Sequence, residues 1–292
     1  MENRSVMYQF NATETSRPPS QNSSQPQELL LQLHAPYVAA ELLIAFFSTV
    51  GNLLVCVAVG FKRELQTATN YFLVSLAVAD ICVGAIAIPC AILTDVGLPR
   101  HSLYPCLLML CLLIMFTQSS IFSLLAVAVE RYVAICMPFR YRLLMTSHNA
   151  LMVILTTWLL AFLIGLVPLM GWHKTPPDSG YCFFVLLVDM TYMVYFNFFA
   201  CVLAPLVIMF LIYAKILMEV KQQVRRIVSE QSGRAAARMR REVKTARTLF
   251  LVLFLFSVCW IPLHILNCLL LLCSPCDRAA GAAADCHHPV TC

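Results

Sequence analysis

The sequence predicts an all-α membrane protein, a bundle of apolar helices, and three observations carry that prediction. Hydrophobic residues fill 60% of the 292 positions and charged residues only 12%, with a mean hydropathy of +0.79; soluble domains hold about 45–50% apolar and 25% charged residues. Six apolar runs, at 37–60, 70–93, 104–136, 149–170, 191–215 and 243–272, each reach the roughly 20 residues that a helix needs to cross a bilayer. Only helices can satisfy the backbone of such runs inside lipid. The basic residues also sort by loop. With the amino terminus outside, 15 of the 20 Lys and Arg fall on the cytoplasmic side, which fixes the orientation by the positive-inside rule.

In chain order, residues 1–36 are polar, rich in Ser, Gln and Pro, and have no apolar core. They read as a disordered extracellular tail without a cleavable signal peptide. Three sequons place candidate glycosylation sites there, at Asn3, Asn11 and Asn22. The second run carries Asp80 near its middle. A carboxylate at bilayer depth is a functional-site candidate unless it is neutral and hydrogen-bonded near Asn52.

The third run has no charge from Cys106 to Val129 and then closes on Glu130 and Arg131, so the pair marks a membrane interface. Arg131 can be a snorkelling anchor at the headgroups or a functional group. The loop at 216–242 is basic and partly helix-prone, with a break near Ser232 and Gly233, and extends the helices on either side of it. In the sixth run Trp260, His264 and Asn267 stand at i, i+4 and i+7, on one helix face. Pro262 kinks the same helix by removing a donor. Three polar or aromatic groups on one face favour a pocket over interhelical packing.

Beyond 272 the ending CSPCDRAAGAAADCHHPVTC has no apolar stretch of membrane length. Cys273 and Cys276 with Cys286, His287 and His288 offer zinc ligand types. Many of the 14 cysteines, Cys56, Cys82, Cys90, Cys111, Cys201, Cys259 and Cys268 among them, lie in apolar runs as small hydrophobes. There is no nucleophile and base pair, phosphate loop or paired carboxylate set, so an enzyme is not expected.

Glu130-Arg131-Tyr132, after Ser119-Ser120 and Ser123-Leu124-Leu125 and before Met137-Pro138-Phe139-Arg140-Tyr141, resembles the third helix and second inner loop of rhodopsin-like G-protein-coupled receptors. Within that superfamily, FTQSSIFSLLA at 116–126, YMVYFNFF at 192–199 and WIPLHILN at 260–267 resemble the adenosine receptors, and the similarity runs over 36–276. Two departures are plain: Glu130 stands where the family usually has Asp, and Val185 where it often has Glu. Val185 and the run Cys111–Thr117 resemble the third subtype, whereas His264 resembles the others, so the subtype stays open.

The resemblance implies a seven-transmembrane-receptor bundle with six spans in this chain, at 37–272. The seventh helix with its Asn-Pro-x-x-Tyr motif is not recognisable, and 273–292 read as an atypical tail from a truncated gene model or an alternative transcript. It implies a plasma-membrane, multi-pass receptor for extracellular adenosine that signals through a heterotrimeric G protein to adenylyl cyclase. Phe184 and Asn267 would meet the adenine, with Thr117, Ile114, Met193, Trp260, Leu263 and His264 around it. The amide of Asn267 can accept from the exocyclic amine and donate to N7. Asp80, Ser120 and Asn52 would hold a sodium ion, with no other cofactor or metal. Glu130, Arg131 and Tyr132 would face the G protein, and Glu242 would pair with Arg131 at rest. Disulfides are implied at Cys106–Cys182 and Cys273–Cys276. Membrane lipid and a receptor dimer are the remaining partners, and nucleic acid is not one. Without a seventh helix the chain is expected not to couple adenosine to a G protein, which leaves a second reading, a non-signalling form that associates with full-length receptors.

Overall fold

The computed structural model describes residues 25–62, 64, 67–174, 181–230, 244, 247–248, 250–258, 260–262, 264–269 and 271–272. The chain divides into two units, Met1–Leu43 and Ile44–Cys292. Six helices among the described residues are long and apolar enough to cross a membrane: Ala35–Phe61, Ala68–Asp95, Leu103–Cys136, Ser147–Leu166, Tyr192–Gln223 and Phe250–Leu269. These first to sixth spans match the six apolar runs in order. The first helix begins earlier than the sequence suggested, at Gln25, inside the segment assigned to the tail. Its opening QPQELLLQL is rich in helix formers, and Pro26 sits in the first turn, where a missing N–H costs nothing.

The third span is the axis of the bundle. Buried residues make up 72% of its apolar window, against 17% for the fourth span and 39% for the fifth. Its serines and alanines allow neighbours to approach closely. A Cβ added at Gly165 of the fourth span would lie 2.6 Å from the Met115 Cβ and 2.8 Å from its Cα. Between the first two spans, a Cβ at Gly84 would come within 2.6 Å of Thr49 Oγ1. Polar side chains then fix the angles. Trp158 Nε1 donates to Ser75 Oγ at 3.1 Å, and Ser75 lies 3.3 Å from Ser123 Oγ, so spans two, three and four share one buried cluster. The Tyr192 hydroxyl donates to the Ile164 carbonyl at 2.8 Å, joining the fifth span to the fourth.

The main apolar core runs between the third and fifth spans, through Ile121, Leu124, Phe198, Leu206, Met209, Tyr213 and Ile216, and includes Leu253 of the sixth. Two stretches are wound as π-helix, Val83–Ala87 and Tyr192–Leu203. Each is followed by a proline in the next turn, Pro89 and Pro205. A proline removes its own N–H bond and clashes with the carbonyl four residues back, and a wider turn ahead of it relieves both.

At one end of the bundle the segment before the fifth span folds back over the third. His173 and Val188 form an antiparallel bridge, Lys174 N donates to the Leu187 carbonyl at 2.8 Å, and Cys182 N donates to that of Gly97 at 3.1 Å. Gly97 has φ +80°, and the Tyr181 and Phe183 rings lie 3.0 Å from where its Cβ would be, so a side chain there would be strained and crowded. Arg100 sits 4.8 Å above the Tyr181 ring.

Candidate functional site

The polar and aromatic residues singled out from the sequence lie near both ends of the third span and at its middle, where Asp80 meets Ser120. At the first end, Cys106 and Cys182 are joined by a disulfide with their Cα atoms 5.8 Å apart. The bridge holds the turn Phe184–Leu187 against the third span, so that Phe184 packs on a cluster with Cys106, Leu110, Ile114, Leu187 and Met193. Three of the expected site residues, Phe184, Ile114 and Met193, are therefore brought together from a loop and two spans. A narrow apolar cleft adjoins them, lined by Cys90, Ala91, Met109, Leu113 and Phe184 among others. It lies between the second and third spans.

Deeper, Thr117 is buried and its hydroxyl is turned to the Leu113 carbonyl at 2.7 Å. On the sixth span Trp260, His264 and Asn267 fall on one side as their spacing requires; His264 is 4% exposed and Asn267 5%. The His264 ring stacks between Trp260, with centroids 6.3 Å apart, and Phe198 of the fifth span, at 4.7 Å. Its Nδ1 has no hydrogen-bond partner among the described residues. Leu263 lies outside the described residues.

Two residues to which the sequence assigned no role join this region. Gln118 Nε2 donates to Asn197 Oδ1 at 2.5 Å, and Asn197 Nδ2 donates to Met193 Sδ at 3.3 Å. Both are almost wholly buried, and Gln118 Oε1 is left without a partner among the described residues. A buried polar atom without a bond costs free energy unless a bound group completes it. Apolar walls with a few convergent polar groups are the ordinary make-up of a small-molecule site. The signal was available in the sequence as uncharged polar residues inside apolar runs.

Asp80 accepts from the Ser120 hydroxyl at 2.6 Å, and Ser48 Oγ donates to the Asp80 carbonyl at 3.4 Å. Asn52 is directed elsewhere, its amide donating to the Ser48 carbonyl at 2.9 Å. The structure therefore joins two of the three expected residues.

At the opposite end Glu130 and Arg131 form a side-on fork: Arg131 Nε donates to Glu130 Oε2 at 2.6 Å and Nη2 to Oε1 at 2.9 Å. Thr69 of the second span donates to Oε1 at 2.5 Å and accepts from Arg131 Nη2 at 2.7 Å. Tyr141 donates to the same Oε1 at 2.8 Å. A buried ion pair holds only if its remaining lone pairs and protons are satisfied, and here Thr69 and Tyr141, also not foreseen as site residues, contribute to that. Burial raises the Tyr141 pKa above the usual tyrosine value, and the bond and charge of Glu130 add to it against opposing effects of Thr69 and Arg131. Tyr132 packs against the main core. Glu242, Cys273, Cys276, the tail from Cys286 and the three sequons lie outside the described residues.

The chain matches the model of the 7 transmembrane receptor (rhodopsin family) over residues 51–287. It is 47% identical over 260 residues to adenosine receptor A2b of Homo sapiens, covering 83% of this chain and 77% of that receptor. Against adenosine receptor A2b of Gallus gallus the identity is 48% over 252 residues, 80% of this chain and 73% of the relative. With adenosine receptor A2a of Homo sapiens it is 43% over 258 residues, 83% and 62% of the two.

Proposed function

Because this chain belongs to the adenosine receptors of the rhodopsin family, we propose that it binds extracellular adenosine and signals through a heterotrimeric G protein to adenylyl cyclase, against the silence expected from the unrecognised seventh helix, and the experiment below separates the two. The observation that carries this is the meeting of Phe184, Ile114 and Met193, continued inward through Asn197 to Gln118 and, by the Phe198–His264 stack, to the sixth span that carries Trp260 and Asn267. Phe184 offers an aromatic face for the purine. Asn267 supplies an acceptor and a donor matched to the adenine edge. The Cys106 end faces outward, as its disulfide and the positive-inside bias both favour, and the chain resides in the plasma membrane as a multi-pass protein.

Arg131, Glu130 and Tyr132 then lie at the cytoplasmic end, where separation of the buried Glu130–Arg131 fork exposes a cationic group to the G protein. Asp80 and Ser120 supply a carboxylate and a hydroxyl, the oxygen donors that a sodium ion takes. Asn52 would have to leave the Ser48 carbonyl to join them.

The test is binding of adenosine to membranes that contain the receptor. Asn267→Ala removes both adenine bonds, and losing one partner in a buried site already costs about 1–3 kcal/mol, so adenosine binding should be abolished. Unchanged affinity would refute the assignment. A second reading is a non-signalling form that associates with full-length receptors, for which Leu151, Leu155, Leu159 and Leu163 offer an exposed apolar stripe on the fourth span. The stripe suits lipid and a second receptor alike. Expression of the chain in cells without adenosine receptors separates the two. A saturable adenosine-dependent change in cyclic AMP, lost in Arg131→Ala, supports signalling; silence there, together with co-purification of a full-length receptor when the two are co-expressed, supports the second.

A further inference from the structure

Asp189 stands just ahead of the fifth span and takes the leading N–H groups of that helix by itself. Its Oδ1 accepts from Thr191 N at 2.7 Å and from Tyr192 N at 3.2 Å, and its carbonyl accepts from Met193 N at 3.1 Å. The first N–H groups of any helix lack intrahelical acceptors, and a carboxylate at that position also meets the positive end of the helix dipole. The cap leads directly into the π-wound stretch Tyr192–Leu203, a winding found frequently at functional sites. A line of bonds continues inward from that cap. Met193 Sδ accepts from Asn197, and Asn197 Oδ1 accepts from Gln118 at 2.5 Å.

We propose that Asp189 is a positioning residue for the ligand site: by fixing the first turn of the fifth span it sets the rotation at which Met193 and Asn197 meet Gln118. The inference rests on the adenosine reading above. It also has a consequence that a cap serving stability alone would not have, because the effect of Asp189 on ligand affinity passes through Asn197.

The test measures radiolabelled adenosine binding to receptor-containing membranes, with surface amount followed through a tag, for Asp189→Ala, Asp189→Asn, Asp189→Glu, Asn197→Ala and the Asp189→Ala/Asn197→Ala pair. An N-cap is worth enough that Asp189→Ala should weaken binding by roughly tenfold. Asp189→Asn should restore most of it, since an amide oxygen caps as well. Asp189→Glu keeps the charge but displaces the acceptor, and should resemble the alanine variant; it decides the matter if Asp189→Ala fails to reach the surface. In the Asn197→Ala background Asp189→Ala should add nothing. Wild-type affinity in Asp189→Glu, or full additivity of the pair, overturns the proposal. No adenosine binding by the unsubstituted receptor overturns the adenosine reading and this one with it, whereas binding there with unchanged Asp189→Ala overturns this one alone.

Discussion

The Tyr141 hydroxyl donates to Glu130 Oε1 at 2.8 Å across the bend at Met137, so the short helix Pro138–Leu144 is tied to the last turn of the third span through the carboxylate that holds Arg131. Thr69 reaches the same oxygen from the second span. One carboxylate therefore organises three segments, and each of its partners can be removed singly.

Tyr141→Phe should lower thermal stability by about 0.5–1.5 kcal/mol, the net worth of one hydrogen bond. The variant also carries a pH signature. The Tyr141 pKa is raised in the folded protein, chiefly by burial and then by Glu130, so the folded state holds this proton more tightly than the unfolded state. That contribution is intact below the unfolded value of about 10 and is lost as pH rises through the folded one. Unfolding midpoints taken from about pH 9 to 11 should fall more steeply for the unsubstituted receptor than for Tyr141→Phe. Parallel curves would mean that Tyr141 does not contribute in this way.

Gly165→Ala should destabilise the bundle, because its Cβ would meet the Met115 backbone at 2.8 Å and backbone cannot move aside as a side-chain tip can. Overpacking of this kind costs about 1–3 kcal/mol. Gly51→Ala is the control, since nothing lies within 4 Å of its added Cβ; it should be neutral or slightly stabilising. Equal midpoints for the two variants in detergent would contradict the close approach of the third and fourth spans.

An epitope tag at the amino terminus should be accessible to antibody on intact cells, because 15 of the 20 basic residues then lie inside. A tag that stains only after permeabilisation would invert the orientation, and with it the assignment of the Cys106 end to the ligand.

The spans and their order were legible because an uninterrupted apolar run of membrane length has few alternatives. Glu130 and Arg131 stood out by charge, and Trp260, His264 and Asn267 by a spacing that survives as one face in the structure. Gln118 and Asn197 were harder to find: an uncharged amide inside an apolar run reads equally as interhelical packing, and only the pairing across two spans shows what it meets. Thr69 and Tyr141 lie 72 positions apart, a separation at which no periodicity speaks. The π-winding was hidden for another reason: in a run apolar on all sides, hydrophobic period cannot distinguish one helical pitch from another, although Pro89 and Pro205 marked where a change of pitch would help. The early start of the first helix at Gln25 was masked by the polar composition around it.

The wide turns of Tyr192–Leu203 have a genetic consequence. Deleting one residue from an α-helical span rotates everything beyond it by about 100°, carrying lipid-facing side chains into the interior and buried ones out. In these 12 residues the same deletion is absorbed when one turn tightens from i→i+5 to i→i+4 bonding. Both flanks then keep their faces: Tyr192 on the fourth span and Leu206 in the core. The chain can thus lose a codon here without losing its architecture, whereas the same loss along the third span would turn its buried face to lipid.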